Sequence, residues 1–237
     1  MSRFAFDAVL FDCDGVLVDS EPITNRVLAA MLGELGWQLS TEESMRIFTG
    51  KAVKDEAALI EAQTGFAITP AWLAAFRERR NIALDADLLA VPGAPEAVRA
   101  LHCMLGGRIA CASGADRHKV ELQLAKAGIL DCFEGRVFSG HETPRSKPFP
   151  DVYLAAAAAL GVDPARCAVV EDTVTGATAG VAAGATVFGY SPPGLAGFSH
   201  SDPDAMRAVG TAQVFTDMAQ LPAVLAAWRG YDGAPSL

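Results

Sequence analysis

No uncharged apolar run in this chain is long enough to span a bilayer, so a transmembrane helix is not expected. Residues Met1 to Asp7 show neither a signal-peptide core nor a cleavage site, so no secretory leader is expected. Cations are scarce: 19 Lys+Arg stand against 28 Asp+Glu, a net charge of −9. That balance argues against nucleic acid or an anionic membrane surface as a partner. It leaves a small anionic ligand open, because a few local cations suffice for one. The five cysteines (Cys13, Cys103, Cys111, Cys132 and Cys167) are odd in number and include no CxxC pair. They read as reduced thiols of a cytoplasmic protein. Internal repeats and low-complexity segments are lacking.

What is present is ample material for a core: 237 residues, 51% of them hydrophobic. That length suits one large domain, or one domain with an insertion. Ala8 to Phe11 reads as a buried strand. No convincing strand follows between Ser20 and Leu89. Instead the spacing predicts helices over Pro22–Leu35, Thr41–Phe48, Ala52–Gln63 and Pro70–Leu84, with a capped start at Thr41 to Ser44. After Val91 to Pro95 the pattern alternates. Strands are expected over Arg108–Ser113, Gly135–Ser139, Cys167–Val170, Ala185–Tyr190 and Gln213–Phe215. Helices are expected over Pro95–Met104, Arg117–Ala127, Asp151–Leu160, Val174–Ala183, Pro203–Val209 and Met218–Trp228. The fold class is therefore α/β: a Rossmann-like parallel sheet with helices on both faces, plus an inserted all-helical cap. The expected boundaries are a core of 1–18 and 91–230, a cap of 19–90, and a frayed tail of 231–237. Gly176, Gly180 and Gly184 recur every four residues; close packing of that helix is the expected reason for the first two, and Gly184 is expected just past its end.

In an open parallel sheet, ligands bind beyond the carboxyl ends of the strands. Here those ends carry Asp12 and Asp14, Ser113-Gly114, Arg145 and Lys147, and Glu171-Asp172. Any one of these fits a polar strand exit or a helix cap; four of them at one sheet edge do not fit chance. The four carboxylates would repel one another if buried dry. A hard divalent cation relieves this, and Mg²⁺ accepts carboxylates and backbone carbonyls as ligands. A phosphate dianion would then be held by the metal, Lys147, the Ser113 hydroxyl and backbone N–H groups near Gly15 and Gly114. Asp12 is placed to attack phosphorus. Asp14 is placed to protonate the leaving alkoxide and later deprotonate water, which asks for a pKa near neutrality. Cys13 lies between them, but strand alternation turns it away, into the core.

These residues resemble the haloacid dehalogenase superfamily, in its β-phosphoglucomutase-like branch of phosphatases and mutases. The matching pieces are Asp12-Cys13-Asp14-Gly15-Val16-Leu17-Val18-Asp19-Ser20, Ala112-Ser113-Gly114, Lys147-Pro148-x-Pro150-Asp151 and Glu171-Asp172-Thr173-x-x-Gly176. The resemblance implies Asp12 as nucleophile and Asp14 as acid/base. Ser113 would bind phosphate and Lys147 would neutralise charge. Asp12, the Asp14 carbonyl and Asp172 would bind Mg²⁺, with Glu171 supporting them from behind. The helical block would be a mobile cap over the substrate.

Asp14 argues for a phosphate ester, because the resembling dehalogenases, whose halide needs no proton, lack this second acid. The mutases of the branch carry a histidine and an arginine where Thr24 and Val53 stand here, which favours hydrolysis over isomerisation. The expected enzyme is a Mg²⁺-dependent phosphatase of a small phosphorylated sugar or sugar acid, 6-phosphogluconate among the candidates. A phosphosugar mutase and a silent phosphate-binding protein are the alternatives. In the cap, Gly50, Lys51 and Arg77 are the candidate substrate contacts, while Arg79 reads as a solvated helix face. A monomer is expected, with a dimer as the alternative.

Overall fold

The computed structural model describes residues 4–193 and 201–230; the expected tail 231–237 lies outside the described residues. Its centre is strand β1, Ala8–Phe11, whose four apolar residues are all buried. A strand that is apolar on both faces belongs in the middle of a parallel sheet covered on both sides. That is where it lies. The sheet runs β3-β2-β1-β4-β5-β6, with every pairing parallel. The other strands are β2 (Ile109–Ser113), β3 (Val137–Ser139), β4 (Cys167–Glu171), β5 (Thr186–Tyr190) and β6 (Gln213–Phe215). All six expected strands are present, within two residues of their expected starts.

The strand order reverses direction at β1, so a crevice opens beyond its carboxyl end. In register, Phe11 pairs with Cys111 on one side and Val170 on the other. The next residues outward are Asp12, Ala112-Ser113 and Glu171-Asp172. The sheet register alone therefore brings three of the four motifs to one edge.

Ten α-helices lie among the described residues: α1 Glu21–Glu34, α2 Thr41–Phe48, α3 Ala57–Thr64, α4 Pro70–Asp87, α5 Ala94–Met104, α6 Arg117–Lys126, α7 Asp151–Ala159, α8 Val174–Ala182, α9 Pro203–Ala208 and α10 Leu221–Ala227. None is long and apolar enough to cross a membrane. Alternation along the strands sorts the core into two layers. Val9, Phe11, Ile109, Cys111 and Val170 pack with residues of α5, α6 and α10. Ala8, Leu10, Ala110, Ala112 and Val169 pack with α7 and α8.

Helices α1 to α4 have a separate apolar centre of Leu28, Met31, Leu32, Phe48, Ile60 and Phe76. The chain enters and leaves this block through two segments that pair side by side. Asp19 N–H donates to Leu89 O at 3.1 Å, Val91 N–H donates to Leu17 O at 3.0 Å, and Val18 bridges Ala90. Two details differ from the sequence reading. The cap of α2 is Ser40, not Thr41: Ser40 Oγ accepts the Glu43 N–H, and the Glu43 carboxylate accepts the Ser40 N–H. The helix expected over Ala52–Gln63 is instead a 3₁₀ turn, Val53–Glu56, followed by α3.

Candidate active site

Beyond the carboxyl end of β1 lies a cavity of about 410 Å³ between the sheet and the helical block. Asp12, Asp14, Ser113, Gly114, Lys147, Glu171 and Asp172 line it from the sheet side. The four motifs, up to 160 positions apart in the chain, therefore meet as expected.

Lys147 is the hub. Its Nζ lies 2.7 Å from Asp12 Oδ1 and 2.6 Å from Glu171 Oε1, and over the Tyr153 ring at 4.8 Å. Burial works against its charge, but Asp12 and Glu171 outweigh that and hold its pKa well above the usual lysine value. Burial pushes Asp12 up to about 7, against the pull of Lys147. Burial, then the neighbouring Glu171 and Asp12 charges, raise Asp172 well above the carboxylate range. One lysine thus does not balance this group of acids.

The surplus negative charge is the physical case for a cation. Oxygens of Asp12, Glu171 and Asp172 lie within 4.8 Å of one another, and all three residues are buried. An all-carboxylate donor set suits a hard divalent ion. The hydrogen bonds separate ligand from support. Both Glu171 oxygens are taken: Oε1 accepts from Lys147 and from Tyr153 Oη at 2.6 Å, and Oε2 accepts from Asp172 N–H and Thr173 Oγ1. Asp12 and Asp172 are the candidate ligands of the three. Glycines give these acids their space. A Cβ on Gly15, at φ +76°, would lie 2.1 Å from Asp172 Oδ2, and one on Gly176 would lie 1.8 Å from Glu171 Oε1. Gly176 therefore has a reason beyond helix packing. The Gly15 N–H itself donates to Val18 O at 2.9 Å, within the turn.

Asp14 departs from expectation in its charge. Its Oδ1 accepts from Lys119 Nζ at 2.8 Å, from Gln123 Nε2 at 2.7 Å, and from Ser20 Oγ. Burial would raise its pKa, but Lys119 first, then Ser20 and Gln123, bring it down to about 2. The carboxyl expected to sit near neutrality is held ionised. Lys119, Gln123 and Tyr153 carried no motif that marked them, since each acts through a contact distant in the chain, whereas Ser20 closes the first motif. The spacing Lys119 to Gln123, one turn of α6, was the available signal. Lys119→Met is expected to cost about 2 kcal/mol at pH 7. An acid whose folded pKa is depressed contributes stability above its unfolded value near 4, and loses it as pH falls through 2. The gap from the parent should therefore close between pH 4 and 2; equal denaturation midpoints at pH 7 would refute the clamp.

Cys13 is buried and turned from the site as expected. Its thiol donates to Gln123 Oε1 at 3.4 Å, and the neighbouring Cys111 thiol, then burial, hold it well above the usual range, against a thiolate role. Ser113 Oγ accepts the Ala115 N–H at 3.1 Å, and its own hydrogen has no acceptor among the described residues. Of the cap candidates, Gly50, Lys51 and Arg77 all line the cavity, as do Thr24 and Val53. Lys51 lies 3.5 Å from Glu56, however. Arg79 pairs with Glu34 on the outside, as a solvated face does. Glu21 was not foreseen: it lines the cavity, and burial, then Asp14, push it to about 7.

Comparison with known proteins agrees with this geometry. Residues 6–184 match the family model of the haloacid dehalogenase-like hydrolases. The chain is 32% identical to a 6-phosphogluconate phosphatase of Escherichia coli K12, over 98% of this chain and 99% of that one. It is 34% identical to hexitol phosphatase B of the same organism, over 74% of this chain and 79% of that one. A solved HAD-family hydrolase of Deinococcus radiodurans R1, with bound phosphate and sodium, superposes with a TM-score of 0.74 at 39% identity, covering 94% of this chain and 96% of that one. The chain belongs to the haloacid dehalogenase-like hydrolases, and among them it is a phosphatase.

Proposed function

We infer that the chain hydrolyses a small phosphorylated sugar or sugar acid through an aspartyl phosphate, with Mg²⁺ as cofactor. The observation that carries this is Asp12, a buried carboxylate held by Lys147 at the mouth of β1 and facing the cavity. Asp12, Asp172 and the Asp14 carbonyl would hold the ion, and Glu171, with its oxygens engaged, would stand behind them. Bound there, the ion supplies positive charge to the substrate phosphate.

The chain's own groups then divide the work. Ser113 and Lys147 bind phosphate oxygens. A carboxylate oxygen of Asp12 attacks phosphorus, and the bond from phosphorus to the ester oxygen breaks. Asp14 gives that oxygen its proton. A water then attacks phosphorus, gives its proton to Asp14, and the acyl phosphate bond breaks, which returns Asp12 and releases phosphate. Ionised Asp14 is ready for the second step. For the first, the incoming phosphate dianion raises its proton affinity by like-charge repulsion. Helices α1 to α4 act as the cap and exclude water, with the paired segments at 17–19 and 89–91 as the hinge. The match to the 6-phosphogluconate phosphatase over nearly both whole chains supports a sugar-acid substrate. Thr24 and Val53 at the cavity support hydrolysis over isomerisation. Five free thiols support a cytoplasmic location, and the net charge of −9 supports a small metabolite as partner, in place of nucleic acid or membrane.

Chelation should abolish phosphate release and Mg²⁺ should restore it; indifference to chelation refutes the metal assignment. Stability gives an independent reading. Asp12 and Glu21 are acids whose folded pKa, about 7, lies above the ordinary values of 3.8 and 4.5. The folded state then holds more protons than the unfolded one, so stability falls as pH rises from about 4 through 7. The metal-free protein is expected to lose about 2–4 kcal/mol between pH 5 and pH 8, and Mg²⁺ to recover most of it at pH 8. A flat metal-free profile in denaturant melts would contradict this.

A further inference from the structure

The cavity has a second charged end, set by the cap. Lys54, on the Val53–Glu56 turn, and Arg77, on α4, both line it. Among the described residues neither has an ion-pair or hydrogen-bond partner. The other cations there are engaged. Lys51 faces Glu56. Arg80 is 7% exposed and lies 2.9 Å from Asp116 across the gap between cap and core. Lys119 and Lys147 hold Asp14 and Asp12.

The charges around the cavity fall into two groups. Beside burial, Asp12 responds most to Lys147, Glu171 and Asp14. His141, on the core side of the same cavity, is lowered by burial first, and the charges acting on it are Asp116, Lys54, Arg77 and Arg80. Lys54 and Arg77 therefore act at the His141 end and are absent from the main influences on the nucleophile. Unpaired cations facing one cavity are held apart from each other's charge only by water, and an anion entering between them relieves that repulsion.

We propose that Lys54 and Arg77 form a distal anion site, so that the substrate carries a second anionic group, a carboxylate or a second phosphate, at the end remote from the scissile phosphate. This rests on the phosphatase reading and narrows its substrate class. It also replaces Lys51 with Lys54 as the partner of Arg77. Arg supplies a planar fork that matches a carboxylate or phosphate edge, and Lys adds a point charge. Because the contact is remote from phosphorus, it acts mainly on KM.

The test compares three substrates with the full chain and Mg²⁺, by phosphate release. They are 6-phosphogluconate, sorbitol 6-phosphate as its uncharged-end counterpart, and fructose 1,6-bisphosphate. The expected result is a kcat/KM at least about tenfold higher for one of the two doubly anionic substrates than for the polyol phosphate. Which one wins tells whether carboxylate or phosphate is read. In a Lys54→Gln/Arg77→Gln variant that ratio should fall to near one, and in Arg77→Glu below the double variant's value. Each ratio is taken within one protein preparation, so a loss of folded protein cancels. A parent ratio near one, or a ratio unmoved by the substitutions, overturns the distal site and leaves the phosphatase reading standing. No phosphate from any of the three overturns both.

Discussion

Asp12→Asn is expected to remove turnover by about 10⁴-fold or more while the protein stays folded. The loss follows from chemistry: an amide oxygen is a far weaker nucleophile toward phosphorus than a carboxylate, and the neighbouring Asp14 and Glu171 are engaged elsewhere. Asp14 is clamped by Lys119 and Gln123. Glu171 has both oxygens engaged. The retained fold follows from electrostatics. Asp12 is a buried acid with its pKa near 7, so its charge at neutral pH is a cost that the amide does not carry. The melting temperature of the metal-free variant should be equal to or above the parent's at pH 8. Single-turnover assays should show no phosphoenzyme. Activity within tenfold of the parent would exclude the covalent route.

Lys147→Met is expected to have the opposite balance, damaging both stability and activity. Lys147 is 8% exposed in its side chain and lies between Asp12 and Glu171. Its removal leaves two like charges buried side by side without a cation. That should cost about 3–5 kcal/mol in the metal-free protein. Mg²⁺ should recover part of this, because a bound cation supplies positive charge to the same acids. Turnover should fall by about 10³-fold even with Mg²⁺, since the ammonium that meets the phosphate oxygens is gone. A double-mutant cycle separates the terms. Adding Asp12→Asn to Lys147→Met removes one of the stranded charges, so the double variant should be more stable than Lys147→Met alone. Additive losses, measured by urea denaturation without metal, would show that the two side chains do not act on each other.

These expectations were partly legible in the sequence for a local reason. A run such as Ala8 to Phe11 announces a buried strand by its composition, and residues 174–182 announce a helix by their period. The order of strands and helices places Asp12, Ser113, Lys147 and Asp172 at one edge, because a parallel sheet puts all its carboxyl ends together. Where reading failed, the deciding contact lay outside the local pattern. The start of α2 was misplaced by one residue because Ser40 and Thr41 are both competent caps, and only the reciprocal bond with Glu43 chooses between them. Lys51 beside Gly50 looked like the cap's cation until Glu56 was found facing it.

The charge state of the site shows where the boundary falls. The sequence by itself determined which acids reach the sheet edge, because strand termini and their order are properties of short segments. Tertiary structure alone decided what those acids are. Lys119 stands 105 residues from Asp14, and its contact turns a carboxyl expected near neutrality into one held at about 2. Burial carries Asp12 the other way, to about 7. A pKa is set by desolvation and by charges within a few ångströms, whatever their separation in the chain, and those distances exist only once the chain has folded.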